Sequence, residues 1–438
     1  MRFRGTDRTF ALLFTVMLAI ASGNTALQSV LPALGRSIGA ADSAVAAVYS
    51  ISGLLWVISA PFWAARSDRH GRRAMVLLGV AGFTVSLGLC GVFLALGING
   101  VLGPIATFGA FVAGRVIYGS FGSAAPPAVQ AIVAGRTSRE DRTRALTLLA
   151  SAFGLGTILG PAIAPYLVMG RLWEGGPLIG LAGPAFVASA IGAAIWIAVL
   201  RLLPREEGTG HGTASSYPSI GGQGTGATVT AATAEHSEKI GYFEPRVRPW
   251  IVSGLVIGHA QAMTGQAIGF LVIDRLHVDP AEALQPTGLV LMLGAVSALL
   301  VQWGLIPLFD LRPRTMILVG VALGAAGCVA TGSATSLYGI ALGYAVTSLG
   351  MGFARPGFTA GASLAVGHAA QGSVAGKVTS VNGAAFVLGP SIGVGLYELW
   401  RPLPYLTAAG WLVCLFVYAW LSLRPLPSGH GHGASPAQ

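Results

Sequence analysis

Arg115, Arg355 and His259 are charged or titratable side chains set inside long apolar stretches. If such a stretch crosses a bilayer, an arginine within it costs at least ~2.5–3.5 kcal/mol and normally faces a cavity or a partner. A guanidinium is also a planar fork that recognises carboxylate or phosphate through two parallel hydrogen bonds. All 16 Asp and Glu residues can be placed outside the apolar cores, so neither arginine has an embedded counter-charge. This imbalance points to an anionic or polyoxygenated ligand, such as an organic carboxylate, a carboxylate-type siderophore or an acidic antibiotic. Each arginine also has a plainer reading: Arg355 can snorkel to the interface, and Arg115 can bond to backbone carbonyls.

His259, Met263 and Gln266 follow i, i+4, i+7 spacing, which places them on one helical face. An imidazole with an unperturbed pKa near ~6.5 can carry a proton, and His259 and Arg115 are the candidates for proton coupling. The alternative for His259 is a neutral hydrogen-bonding group. Asn24 and Gln28 stand one helical turn apart on a common face. Tyr118 and Asn382 complete the candidate binding set. No catalytic cluster accompanies them: there is no G-x-S-x-G, no Walker-type phosphate loop and no His/Asp ligand spacing. Cys90, Cys328 and Cys414 fall in three separate apolar stretches, suggesting neither a disulfide framework nor a metal site. His430 and His432, in a low-complexity tail, have no acidic or Cys partner. The expectation is a protein that is not an enzyme and uses no cofactor or metal.

The elements that hold these residues follow from composition. Of 438 residues, 53% are hydrophobic and 10% charged, far below the ~25% charge of a soluble domain. The apolar residues form blocks near the ~20 residues that cross a bilayer as helix. Twelve spans are expected, near 10–34, 45–65, 74–97, 104–134, 145–168, 178–200, 249–272, 287–309, 315–331, 338–364, 378–397 and 403–422. The first follows Arg2, Arg4 and Arg8 and is too long for a signal-peptide core, so it is expected to be retained.

The net charge of +10 does not require nucleic acid. With a cytoplasmic N-terminus, about twenty of the 26 Lys and Arg lie on the cytoplasmic side, the bias that orients membrane proteins. Only Arg36, Arg171, Arg275 and Arg401 fall on the far side. The implied partners are the lipid bilayer and a small-molecule substrate, with a monomeric chain and both termini cytoplasmic.

A polar stretch over 201–248, Gly/Ser/Thr/Ala-rich at its centre, divides the spans six and six. The expected domains are a bundle over 1–200, this linker, a second bundle over 249–424 and a tail over 425–438. The halves repeat. Pro127 and Pro356 are 229 residues apart, as are Pro161 and Pro390, and the flanking sequences Ser151–Ile163 and Ser380–Ile392 share the Leu-Gly-Pro step. Two related halves imply a substrate path at their interface, reached alternately from either side.

Between spans two and three stands Asp68-Arg69-His70-Gly71-Arg72-Arg73, after a span ending in Ala60-Pro61. This loop resembles the signature of the major facilitator superfamily, in particular its twelve-helix drug:proton antiporter branch, which includes the tetracycline exporters. Ala64 stands where that motif usually begins with Gly. The resemblance implies an all-α fold of two pseudo-symmetric six-helix bundles. It also implies that Asp68, Arg69, Gly71, Arg72 and Arg73, with Asp310 in a degenerate second-half copy, latch the outward-open state. Arg115, followed four residues later by Gly119, resembles the family's second motif. Gly156-Thr-Ile-Leu-Gly160-Pro161 resembles the motif associated with exporters, although the usual closing Gly-Gly is Ala164-Pro165 here; Gly389-Pro390 is its repeat copy.

The sequence therefore implies a secondary active transporter of the bacterial inner membrane: a proton-coupled exporter, by alternating access, of a small anionic or polyoxygenated drug, siderophore or metabolite. Import of an anionic metabolite or siderophore is the alternative. A non-transporting membrane receptor or an enzyme is a distant one.

Overall fold

The computed structural model describes residues 6–137, 142–204, 240–309, 311–367 and 370–423. Twelve helical spans among them are long and apolar enough to cross a membrane. The first half holds α1 (Thr6–Ser37), α2 (Asp42–His70), α3 (Arg72–Ile98), α4 (Pro104–Phe121), α5 (Ala125–Arg136), α6 (Arg142–Ile163) and α7 (Gly183–Leu202). The second holds α8 (Arg248–Leu276), α9 (Leu284–Leu299), α10 (Ile306–Phe309), α11 (Pro313–Ser333), α12 (Leu337–Leu364), α13 (Gln371–Leu399) and α14 (Leu403–Ser422). Below, the face where α1 begins and the α2–α3 loop lies is the near face; the opposite one is the far face.

Sequence expectation and structure part at chain breakers. The fourth span is two helices, α4 and α5, joined by a 3₁₀ turn at Gly122–Ala124. Pro126 and Pro127 lack the N–H that would continue the α-helical ladder there. The fifth span stops at Ile163, where Ala164-Pro165 opens a 3₁₀ turn. The sixth begins at Gly183, five residues later than expected, because Leu178–Gly180 is β2, paired antiparallel with β1 (Met169–Arg171). Gly175 and Gly180 adopt positive φ around that hairpin, and Pro184 sits in the first turn of α7. Between α9 and α10 the eighth span passes through a π-type turn at Leu300–Leu305.

The two halves repeat the same neighbour relations. α1 packs on α6 as α8 packs on α13, α3 on α4 as α11 on α12, and α3 on α7 as α11 on α14. Small residues permit these approaches. A Cβ at Gly156 would lie 2.5 Å from Ala21 Cβ, and one at Gly160 would collide with Thr25 and lie 2.5 Å from the Ser22 carbonyl oxygen. In the second half a Cβ at Gly389 would collide with Ala262, and one at Gly393 would lie 2.5 Å from the Met263 carbonyl oxygen. The glycines of both motifs thus seat the fifth and eleventh spans on the first and seventh. The halves meet mainly through α2 against α13 and α6 against α9. Between them lies a cavity.

Candidate functional site: the cavity between the halves

The cavity encloses about 870 Å³, the size of a site for a small organic molecule. Its wall runs out to Ser363 and Leu364 at the near end of α12, so it opens to the near face. Gln28 closes part of its floor, donating from Nε2 to Gln266 Oε1 at 3.1 Å across the halves. Farther out, Ser50 and Ser391 share a 2.7 Å hydroxyl contact.

At the far face the closure becomes ionic. The Arg36 guanidinium donates to Asp42 (2.6 and 3.1 Å) and to Asp274 (2.6 and 3.1 Å). Asp274 also accepts from the Tyr397 hydroxyl at 2.5 Å and lies 3.3 Å from Arg401 Nε. The Ser43 amide donates to Glu398 at 2.8 Å. Arg36, Asp42 and Ser43 belong to one half and Asp274, Tyr397, Glu398 and Arg401 to the other, so the far face is held shut.

Arg115 lies on α4, beside the cavity floor, and is 2% exposed. Its Nη2 donates to Asn24 Oδ1 at 3.0 Å. The Tyr118 and Tyr49 rings flank the guanidinium at 4.5 and 5.1 Å. Nε and Nη1 are buried without a hydrogen-bond partner. Those contacts are favourable, but none is a full counter-charge.

Arg355, on α12 in the other half, also borders the cavity and is half-buried. Gly254 packs against Phe358 and Gly361 against Trp250, which sets Arg355 level with about residue 256 of α8. Asn24 is level with about residue 262, because Gln28 meets Gln266 and Pro32 meets Gly269. At ~1.5 Å per residue, Arg355 therefore sits about 9 Å nearer the mouth than the residue that holds Arg115.

Of the remaining candidates, Asn24, Gln28, Tyr118, Gln266 and Asn382 all border the cavity, as do Pro161 and Pro390. His259 and Met263 do not. Met263 is fully buried where α13 crosses α8 at Gly393. His259 Nδ1 lies 2.8 Å from the carbonyl oxygen of Leu255, one turn back on its own helix. The wall of α8 is formed instead by Gly258, Gln261, Ala262, Gly265 and Gly269 with Gln266, so the face set by i, i+4, i+7 spacing is offset from it.

The α2–α3 loop is compact. Gly71 has φ +93°, a conformation that favours glycine. Arg72 Nη1 donates to the Ala131 carbonyl at 2.9 Å and Arg73 Nη2 to that of Leu200 at 2.6 Å, both inside the first half, while Arg69 is exposed. The Asp68 side chain and Asp310 lie outside the described residues, as do most of 201–248 and the tail.

Tyr49, Ser52, Trp56 and Gln302 on the cavity wall, and the whole Arg36–Asp274 cluster, were not singled out from sequence. Tyr49 and Trp56 look like ordinary apolar-span residues. Arg36 and Asp274 are 238 residues apart and look like unrelated loop charges.

Residues 13–390 match the Major Facilitator Superfamily. The chain belongs to this family. Among its relatives, the class E tetracycline resistance protein of Escherichia coli is 24% identical over 427 residues, 95% of each chain. The class C protein of Escherichia coli is 30% identical over 162 residues, 36% of this chain and little more than a third (37%) of that protein. Among solved structures, the human organic anion transporter MFSD10 (TETRAN) superposes with a TM-score of 0.64 at 19% identity, over 94% of this chain and 99% of that one. The chain shares its fold with that transporter, and it is a multi-pass membrane protein of the superfamily with tetracycline resistance proteins among its relatives.

Proposed function

We propose that this protein is a proton-coupled secondary transporter that exports a small organic anion through the cavity between its halves. One observation carries the reading: the cavity wall includes two guanidiniums, Arg115 and Arg355, and no carboxylate among the described residues. A cationic solute would meet like charge there and no counter-ion. An acidic one brings negative charge to a wall whose described residues carry positive charge alone. Asn24, Gln28, Gln266 and Asn382 offer neutral donors and acceptors for a polyoxygenated body.

With the N-terminus cytoplasmic, as the Lys/Arg bias implies, the near face is the cytoplasm and the structure is inward-facing. Release requires parting the far-face cluster and closing the near face, the alternating access expected of two related halves. Export is supported by the G-x-x-x-G-P core at Gly156–Pro161 and by the tetracycline resistance proteins among the relatives. The site is the inner membrane of a bacterium, and protons are the coupling ion.

Purified protein reconstituted in liposomes tests this reading. Thermal-shift screening of bulky organic carboxylates and sulfonates, amines and neutral polyols should show stabilisation by the acids, weakened in Arg355→Gln. An imposed pH gradient should then drive movement of a stabilising acid. Stabilisation by amines alone, or acid movement indifferent to the gradient, overturns the substrate or the coupling assignment respectively.

A further inference from the structure

Arg115 presents a problem that the cavity as a whole does not solve. Its guanidinium is 2% exposed, and Nε and Nη1 have no partner. The hydroxyl of Tyr49, on one of the two rings that flank the guanidinium, is also buried and unpartnered. Three donor-bearing atoms of two side chains from α2 and α4 are thus orphaned in one buried neighbourhood. Buried donors are almost always satisfied, and a cluster of exceptions calls for an explanation, a ligand or ion position among them. Water satisfies hydrogen bonds but leaves the guanidinium charge uncompensated, and an uncompensated buried charge is strongly destabilising.

We propose that Arg115 and Tyr49 form a small-anion subsite at the cavity floor, distinct from the more open Arg355 about 9 Å nearer the mouth. The recess is bounded by the Tyr49 and Tyr118 rings and by Asn24. It takes a single compact monoanionic group: a halide ion, or the terminal carboxylate of the transported solute. The Tyr49 hydroxyl donates to the anion as Nε and Nη1 do. Arg355, half-buried at the wall, makes first contact with bulkier acids and lies outside the recess. This inference deepens the anion-transport reading and assigns the two arginines different tasks.

The experiment uses the purified full chain in detergent. Its melting temperature is followed against the sodium salts of chloride, bromide, formate and acetate at constant ionic strength, with the sodium salt of a bulky sulfonate as the balancing reference. A saturable rise is expected with halide, short carboxylate or both. Tyr49→Phe keeps the ring and its packing, and should weaken the response about tenfold, the loss of one donor to an ion. Arg115→Gln should abolish it, and Arg355→Gln should leave it intact. A rise with halide but not with formate or acetate identifies a resident inorganic ion. Formate or acetate acting alone, and competing with a larger acid, identifies the solute's own carboxylate. A flat response in the wild type overturns the subsite, as does a response that survives both Tyr49→Phe and Arg115→Gln. If larger organic acids still bind through Arg355 in that case, the transport reading stands without the subsite. If small anions bind through Arg115 and no organic acid binds at all, the transport reading fails and the subsite stands.

Discussion

Arg36 and Asp274 form a two-pronged ion pair across the far face, with Nη1–Oδ1 at 2.6 Å and Nη2–Oδ2 at 3.1 Å. The pair is the hub of a larger cluster, since Asp42 takes the other donors of Arg36 and Tyr397 and Arg401 converge on Asp274. Charge-assisted, two-pronged contacts of this kind are the strong ones. Because one member sits in each half, the pair exists only while the far face is closed.

Asp274→Asn should therefore destabilise far-face closure. Arg36 keeps Asp42 and loses its partner in the opposite half. The readout is the reaction of a cysteine placed at Ser391, at the half-buried Ser50–Ser391 contact, with an impermeant maleimide added from the far side, in a Cys414→Ala background. The labelling rate should rise severalfold. An unchanged rate means that the apolar contacts of α2 with α13 hold the face shut without the pair.

Asn24→Asp gives a second, opposite-signed test. The 3.0 Å contact to Arg115 becomes a salt bridge and neutralises a buried guanidinium. The protein should become more thermostable by about 1.5–3 kcal/mol, the range for a hydrogen bond to a charged group. At the same time its stabilisation by acids acting at Arg115 should fall. Loss of stability on this substitution would mean that Arg115 already has its counter-charge.

Gly160→Ala should be costly where Gly410→Ala is not. A Cβ at Gly160 collides with Thr25 and lies 2.7 Å from the Ala26 nitrogen, whereas one at Gly410 meets nothing within 4 Å. Overpacking of this kind typically costs about 1–3 kcal/mol. Thermal unfolding in detergent should show Gly160→Ala destabilised, with Gly389→Ala, its repeat counterpart against Ala262, behaving likewise.

His259→Gln should leave the dependence of transport on a pH gradient unchanged. The imidazole bonds the carbonyl of Leu255 on its own helix, and its position lies off the cavity wall. A loss of gradient dependence in proteoliposomes, with solute binding retained, would instead give His259 the coupling proton.

Much of the architecture was legible because the bilayer imposes it. Long apolar blocks have to be helices, since lipid offers no partner for unpaired backbone groups. The repeat was legible because both copies of Gly-Pro solve the same packing problem, a helix pressed onto its neighbour at Gly160 and again at Gly389. Local chemistry moved the boundaries: Pro126 and Pro127 broke a span, and Gly175 with Gly180 turned the start of another into a hairpin.

The sequence by itself determined that twelve apolar helices in two related halves carry arginines within their apolar cores while the acids can be placed outside them, because hydropathy, charge and repeat register are properties of the chain order. Only the tertiary structure decided which of those side chains share a space. It set Arg115 between Tyr49 and Tyr118, turned His259 away from the wall, and joined Arg36 to Asp274 across 238 residues. Helix rotation and the meeting of two halves are fixed by packing between distant segments, and no local pattern encodes either.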